Sequence, residues 1–343
     1  MSANEDLQNR AISHAIYMER YKTQVVNDVL GALEDSEQNL IRRIRDRIGD
    51  ETFTRQRLER LLDDVRDITG EANKVLRERL RDHIQEFGGR EAEWTARTIG
   101  EVVPIELNVV QPSPRQIYSA VISRPLEDRM LSEAVRDLGP RQRKQISAAL
   151  RRGFIEGQTT QQIVRTIKGS RAARYTDGIM GGRRRHITSL VRTAINHTHS
   201  VAREELAKEN EDIIKGVQWV ATLDTRTTLI CASRDGKSYP VDEGPRPPAH
   251  INCRSTVTPI LKSWRELGID LKEAPPGTRA SMDGQVPDKV SYSKWLGRQS
   301  KGRQIEVLGR RRWEKWREGE DVSRFVQDDR VMSLDELERK EGA

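Results

Sequence analysis

The sequence predicts an α+β protein, mainly α-helical, with a long helical N-terminal arm, a central helical region and a small α+β C-terminal module. Three observations predict it. Only 35% of the 343 residues are hydrophobic and 33% are charged, against roughly 45–50% and about 25% in ordinary soluble domains. That balance favours elongated helices with much exposed surface. Over most of the chain, apolar residues recur every three or four positions, which is the helical period. One stretch, from Trp219 to Thr258, breaks that rhythm and contains both cysteines. Since single cores rarely grow past about 250 residues, more than one domain is expected. The divisions are a helical arm at 1–102, a central helical region at 103–184, the α+β module at 185–271 and a helical tail at 272–343.

Taken in order, Val26, Leu30, Leu33, Leu40, Ile44 and Ile48 make a narrow helical stripe over 11–48. Gly49-Asp50 interrupts it. Leu58, Leu61, Val65, Ile68, Leu76, Leu80 and Ile84 predict a second long helix ending near Gly88-Gly89, with Gly70 as a place to bend. Two such helices across a short break suggest an antiparallel hairpin. The proline-bounded run from Val102 to Pro114 reads as extended. Helices follow over 114–139 and 141–153, with Pro140 between them. Thr159 with Gln162 has the spacing of a capping box.

Glycines and arginines over 169–185 predict a loop. A helix follows from Arg185 to Lys208, with Ile187, Val191, Ile195, Ala202 and Leu206 on its apolar face. His197 and His199 stand two residues apart on it, so they point to different sides. Residues 213–222 alternate as a strand. Beyond the central stretch, APPGTRASMDGQVPD reads as a loop, and Tyr292 to Glu338 as helical, ending on the capping-box spacing of Ser333 and Glu336.

The formal charge is +7, with the basic residues concentrated in 171–185 and 298–317. Arg183, Arg184 and Arg185 are the candidates for DNA contact. No stretch approaches the roughly 20 apolar residues of a membrane span. The opening MSANEDLQNR lacks the apolar core of a signal peptide, so a reducing, cytosol-like compartment is expected. Two cysteines there read as thiols or metal ligands before they read as a structural bridge.

In the central stretch, a metal reading takes Cys231, His250 and Cys253 as zinc ligands with Asp224 or water as a fourth group. The spacing is not one of the common zinc signatures, and the alternative expectation is that no cofactor binds. The thiols are then small buried apolar groups and the prolines set a rigid loop. A catalytic reading pairs a cysteine with the histidine, as a thiol enzyme or a metal-dependent nuclease, but a general base and an oxyanion hole cannot be assigned.

These residues also carry a resemblance. Thr193 to Asn196, Trp219, Asp224 with Arg226 and Thr227, Cys231, Asp235-Gly236, and the run through Pro248, His250, Asn252, Cys253 and Arg254 follow one order and spacing. That pattern resembles the phage head morphogenesis family named after the F protein of phage Mu, also called minor head or minor capsid proteins. Tyr292 to Leu296, Gln304 and Leu334 to Leu337 extend the likeness, which covers about Gly153 to Glu338. Many relatives carry a further cysteine beside the Cys-Arg pair, where this chain has Ser255, so the richer cysteine cluster that would favour a metal is missing. The resemblance implies a virion protein of the capsid interior near the portal, assembled in the host cytoplasm and tied to DNA packaging and ejection. Its implied partners are the portal protein, the major capsid or scaffolding protein, and double-stranded DNA bound without sequence preference. An enzyme using the cysteine–histidine knot and a DNA-binding module stay open beside it.

Overall fold

Helical spacing of apolar side chains sets most of the architecture. In the computed structural model the described residues are 3–49, 53–103, 105–126, 129–270, 278–287, 289–317, 319 and 321–341. Helix α1 (Ala3–Ala32) and α2 (Glu34–Ile48) meet at Leu33, near where the apolar stripe skips a step around Glu37. Helix α3 (Arg55–Val102) runs for 48 residues without ending at Gly88-Gly89. The reason is packing: a Cβ on Gly88 would sit 2.8 Å from the Ile117 side chain. The glycine admits a neighbouring helix instead of stopping its own. Gly70 likewise lies inside α3. The Asp50 half of the expected break and residues 274–277 and 288 of the expected loop lie outside the described residues.

Helix α4 (Pro114–Ser123) precedes a two-residue hairpin, β1 (Pro125–Leu126) with β2 (Arg129–Met130). Helix α5 (Leu131–Ile155) passes through Pro140, where two helices were expected. Its buried face of Leu131, Leu138, Ile146 and Leu150 is continuous across the proline, and that burial outweighs one lost backbone bond. Helix α6 (Thr160–Lys168) starts on the predicted capping box, Thr159 accepting from Gln162 N and Gln162 reaching back to Thr159 N. The following loop is shorter than expected, because α7 (Ile179–Glu209) begins within the glycine-rich stretch. A Cβ on Gly181 would lie 2.5 Å from the carbonyl oxygen of Tyr175. Glycine is required there by close approach within a helix, not by loop conformation.

After α7 come β3 (Ile214–Val220), the short helix α8 (Leu229–Arg234), β4 (Ser238–Tyr239) and β5 (Thr256–Leu261). Strand β3 lies between β4 and β5, antiparallel to both, with Trp219 opposite Val257 and Val217 opposite Tyr239. A second hairpin, β6 (Thr278–Ser281) with β7 (Gly284–Pro287), occupies part of the expected loop. The expected helical tail is broken into α9 (Tyr292–Gly297), α10 (Lys301–Leu308), α11 (Arg310–Arg317), a 3-10 turn (Val322–Phe325), a hairpin of β8 (Val326–Gln327) and β9 (Arg330–Val331), and α12 (Leu334–Glu341). Its predicted anchors Trp295, Leu296, Leu308, Trp313 and Phe325 are buried together with Leu223 and Tyr292. The aromatic spacing found the core but not the turns between the pieces.

The chain forms two compact units, and neither is a single stretch. One comprises Met1–Glu19, Phe87–Ala120 and Asn196–Ala343; the other comprises Arg20–Glu86 and Val121–Ile195. The second has its own core, in which Leu40, Ile44, Leu61, Val65, Ile146, Leu150 and Ile163 pack together. Among the described residues no helix is long and apolar enough to cross a membrane.

Candidate functional site

The cysteine and histidine residues of the central stretch meet in space because a helix cap and two turns direct the chain. Thr228 caps α8, its hydroxyl accepting from Cys231 N. The Asp235-Gly236 turn then sends the chain back along β3, Gly236 N donating to Trp219 O at 2.9 Å and Trp219 N to Lys237 O at 2.8 Å. Further on, Pro247 and Pro248 are buried and joined by a cis bond. A tight turn follows, in which Cys253 N donates to His250 O and Asn252 takes a φ of 60°, a left-handed conformation that asparagine tolerates. Trp219, 0% exposed, packs with Ala221 against both cysteines, and the Arg234 guanidinium stacks over its ring.

The result is a three-membered cluster. Cys231 Sγ lies 3.3 Å from His250 Nε2 and 3.6 Å from Cys253 Sγ, so the cysteines are free thiols. His250 Nδ1 is 2.9 Å from the Ile251 carbonyl. A carbonyl can only accept, which assigns the ring proton to Nδ1 and leaves the Nε2 lone pair facing the thiols. The two thiols titrate in opposite directions. The hydrogen bond from Cys231 outweighs burial and holds the Cys253 thiol well below the usual thiol range, and His250 adds to this when its ring is protonated at both nitrogens. Hydrogen bonding to Cys253 and burial push Cys231 up.

Asp224 does not join this cluster, which corrects its expected place as a fourth ligand. Arg254 takes both of its carboxylate oxygens, at 2.5 and 2.8 Å, and Arg226 N and the Thr227 hydroxyl donate to Oδ1. Burial opposes ionisation of Asp224, but the Arg254 bonds and charge outweigh it and hold the carboxyl below its ordinary value. The remaining motif residues are structural in the same sense. Asn196 donates to Ser255 O at 3.1 Å. Asp235 accepts from Ala221 N, Tyr292 N and the buried Arg279, which ties the start of the tail to the sheet.

A second buried constellation was not anticipated. Glu91 on α3, completely buried, lies 2.7 Å from His14 Nε2, 3.1 Å from His199 Nδ1 and 2.8 Å from Arg203 Nε. Arg203 also donates to Val257 O at 2.7 Å and sits over the Trp94 ring, on which His14 stacks. His199 Nε2 meets the Thr256 hydroxyl at 2.6 Å. Burial pulls His199 down to about 4, so its ring is neutral at neutral pH. Burial also opposes charge on Glu91, yet the positive charge of His199 when protonated, the permanent charge of Arg203 and hydrogen bonds from the two histidines hold its carboxyl well below the usual range. This group already contains its own cation in Arg203. The one available signal was a histidine and an arginine four apart, with His199 in step with Ile195 and Ala202 on the apolar face of α7.

Arg183 is 6% exposed, so its guanidinium is not on the surface where a DNA contact requires it. Arg184 and Arg185 are exposed. Arg184 pairs with Glu37 at 2.5 Å and Arg185 donates to Thr176 O. Both line an open cavity of about 1090 Å3 together with Arg42, Arg45, Lys168 and Arg174, and with Glu34, Glu37 and Asp46.

Residues 144–258 match the family described as Phage Mu protein F like protein. The match runs from within α5 to the middle of β5 and so encloses α7 and the whole cysteine–histidine knot. Comparison with curated proteins and with solved structures gave no match.

Proposed function

We propose that this chain, a Mu F-like phage head morphogenesis protein through residues 144–258, acts as a minor head component that binds the portal during assembly. The observation that carries the reading is that the family match encloses the knot, and the knot's groups are engaged with one another. Cys231, His250 and Cys253 face inward on one another, Asp224 is held by Arg254, and Asp235 is held by Arg279. Such pairs stiffen a module and suit it to presenting a surface. Duplex DNA is the second proposed partner. Its support is the row of cations around the cavity in the second unit, where Arg185 and Arg174 are exposed. Phosphates recognise such a row without regard to sequence.

Co-expression with the portal protein of the same phage, followed by native mass spectrometry, tests both partners at once. A complex of defined mass supports portal binding, and its copy number follows from that mass. Duplex that co-purifies and is released by raised salt supports the DNA contact. A monomer that ignores the portal and carries no nucleic acid overturns the reading.

A further inference from the structure

Two thiols and an imidazole nitrogen converge within the knot, and the separations between them have a meaning beyond packing. A tetrahedral zinc ion with bonds of about 2.3 Å to sulfur and about 2.0–2.1 Å to nitrogen holds two sulfurs about 3.8 Å apart and a sulfur and nitrogen about 3.5 Å apart. The knot places its donors at 3.6 and 3.3 Å, each about 0.2 Å inside the zinc-bound spacing. Expansion by that amount admits the ion. The 3.6 Å between sulfurs is far longer than the roughly 2.05 Å of a disulfide. The cysteines are therefore placed for a shared ligand, not a bond.

The surroundings are those of a metal site. His250 donates its other ring nitrogen to the Ile251 carbonyl, the outer bond that fixes tautomer and ring plane in metal-ligating histidines. Cys231 and Cys253 are each 2% exposed, and Trp219, Ala221, Tyr239 and Ala249 pack around them. The donor set of two soft thiolates and one imidazole matches zinc rather than calcium or magnesium. Loss of two thiol protons to solvent on binding leaves two thiolates, whose charges the dication balances. The other His and Glu cluster, around Glu91, is not comparable, since Arg203 already neutralises its carboxylate at 2.8 Å.

We infer that Cys231, His250 and Cys253 bind one zinc ion, with water in the remaining position, and that the ion fastens α8 to the turn after the cis-proline pair. No carboxylate joins the cluster among the described residues, and Asp224 is occupied by Arg254. The ion joins α8, which carries Cys231, to the turn that carries His250 and Cys253. This site does not depend on the head-assembly reading.

The full chain, expressed with zinc in the medium and purified without chelator, is measured by native mass spectrometry and by elemental analysis. The expected result is one zinc per chain, lost in Cys253→Ser and in His250→Ala. Cobalt added to the metal-free protein reads the ligands directly, through thiolate charge-transfer bands in the near ultraviolet and tetrahedral bands in the visible. That measurement uses the unaltered chain, so it stands even where a variant fails to fold. Absence of zinc from the purified protein, retention of zinc by both variants, or cobalt spectra without thiolate bands each overturns the site. A zinc-loaded protein that ignores the portal keeps this inference and removes the assembly reading.

Discussion

At the scale of single residues, the first unit is most sensitive to substitution where charge is buried. Glu91 keeps Arg203 company inside the protein, and Glu91→Gln preserves shape while leaving that guanidinium without a counter-charge. Breaking a buried pair in this way costs about 3–5 kcal/mol, whereas Glu59→Gln, which ends an exposed pair with Arg55, costs about 1 kcal/mol or less. Thermal midpoints of the two variants measure the contrast, and equal shifts would sink the idea. The same cluster sets the acid limit. His199 has a folded pKa of about 4, below its ordinary 6.5, so between those values the unfolded chain binds a proton that the folded chain refuses. Stability therefore falls as pH drops from about 6.5 to about 4, by up to ~1.4 kcal/mol per unit. Glu91, also lowered, extends the loss below the ordinary carboxylate range. Urea midpoints from pH 7.5 to pH 4 test this, and His199→Gln is expected to flatten the slope. None of it was legible in advance for Glu91, because a carboxylate inside a long charged helix looks like every other until its tertiary partners are known.

At the scale of elements, the sequence showed where apolar faces lie better than where helices stop. The stripes through Leu61 and Val65, and through Val191 and Ile195, were correct because burial follows period. Gly88, Pro140 and Gly181 misled because each residue type has two uses. Glycine ends a helix or permits close approach, and proline breaks a helix unless the buried face is strong enough to carry it. The knot was more readable. Its turn residues, Asp235-Gly236 and Asn252, act within a few positions of themselves, and the structure brings Cys231, His250 and Cys253 together. Asp224 was misassigned because its partner, Arg254, was read only as part of a motif. Two glycines give opposite predictions from the same substitution. Gly70 in α3 has open space where a Cβ would go, and Gly70→Ala should stabilise by about 1 kcal/mol through helix propensity. At Gly153 the Cβ would lie 2.6 Å from the buried Ile163 side chain, and Gly153→Ala should destabilise by about 1–3 kcal/mol through overpacking. Thermal melts moving in the same direction would contradict the packing described for α5 and α6.

At the scale of the whole molecule, both compact units are assembled from distant stretches of chain, and this bears on synthesis. In the first unit Asn4, in the first turn of α1, exchanges side-chain hydrogen bonds with the backbone of Leu261, 257 residues away. His14, a few turns on, depends on Glu91 and faces His199. A ribosome adding about 5–20 residues per second needs roughly 10–50 s to make the partners of that opening turn. During the interval α1 is exposed without these native neighbours. Docking of α1 is therefore a late step in the assembly of the first unit, set by the time at which β5 is made.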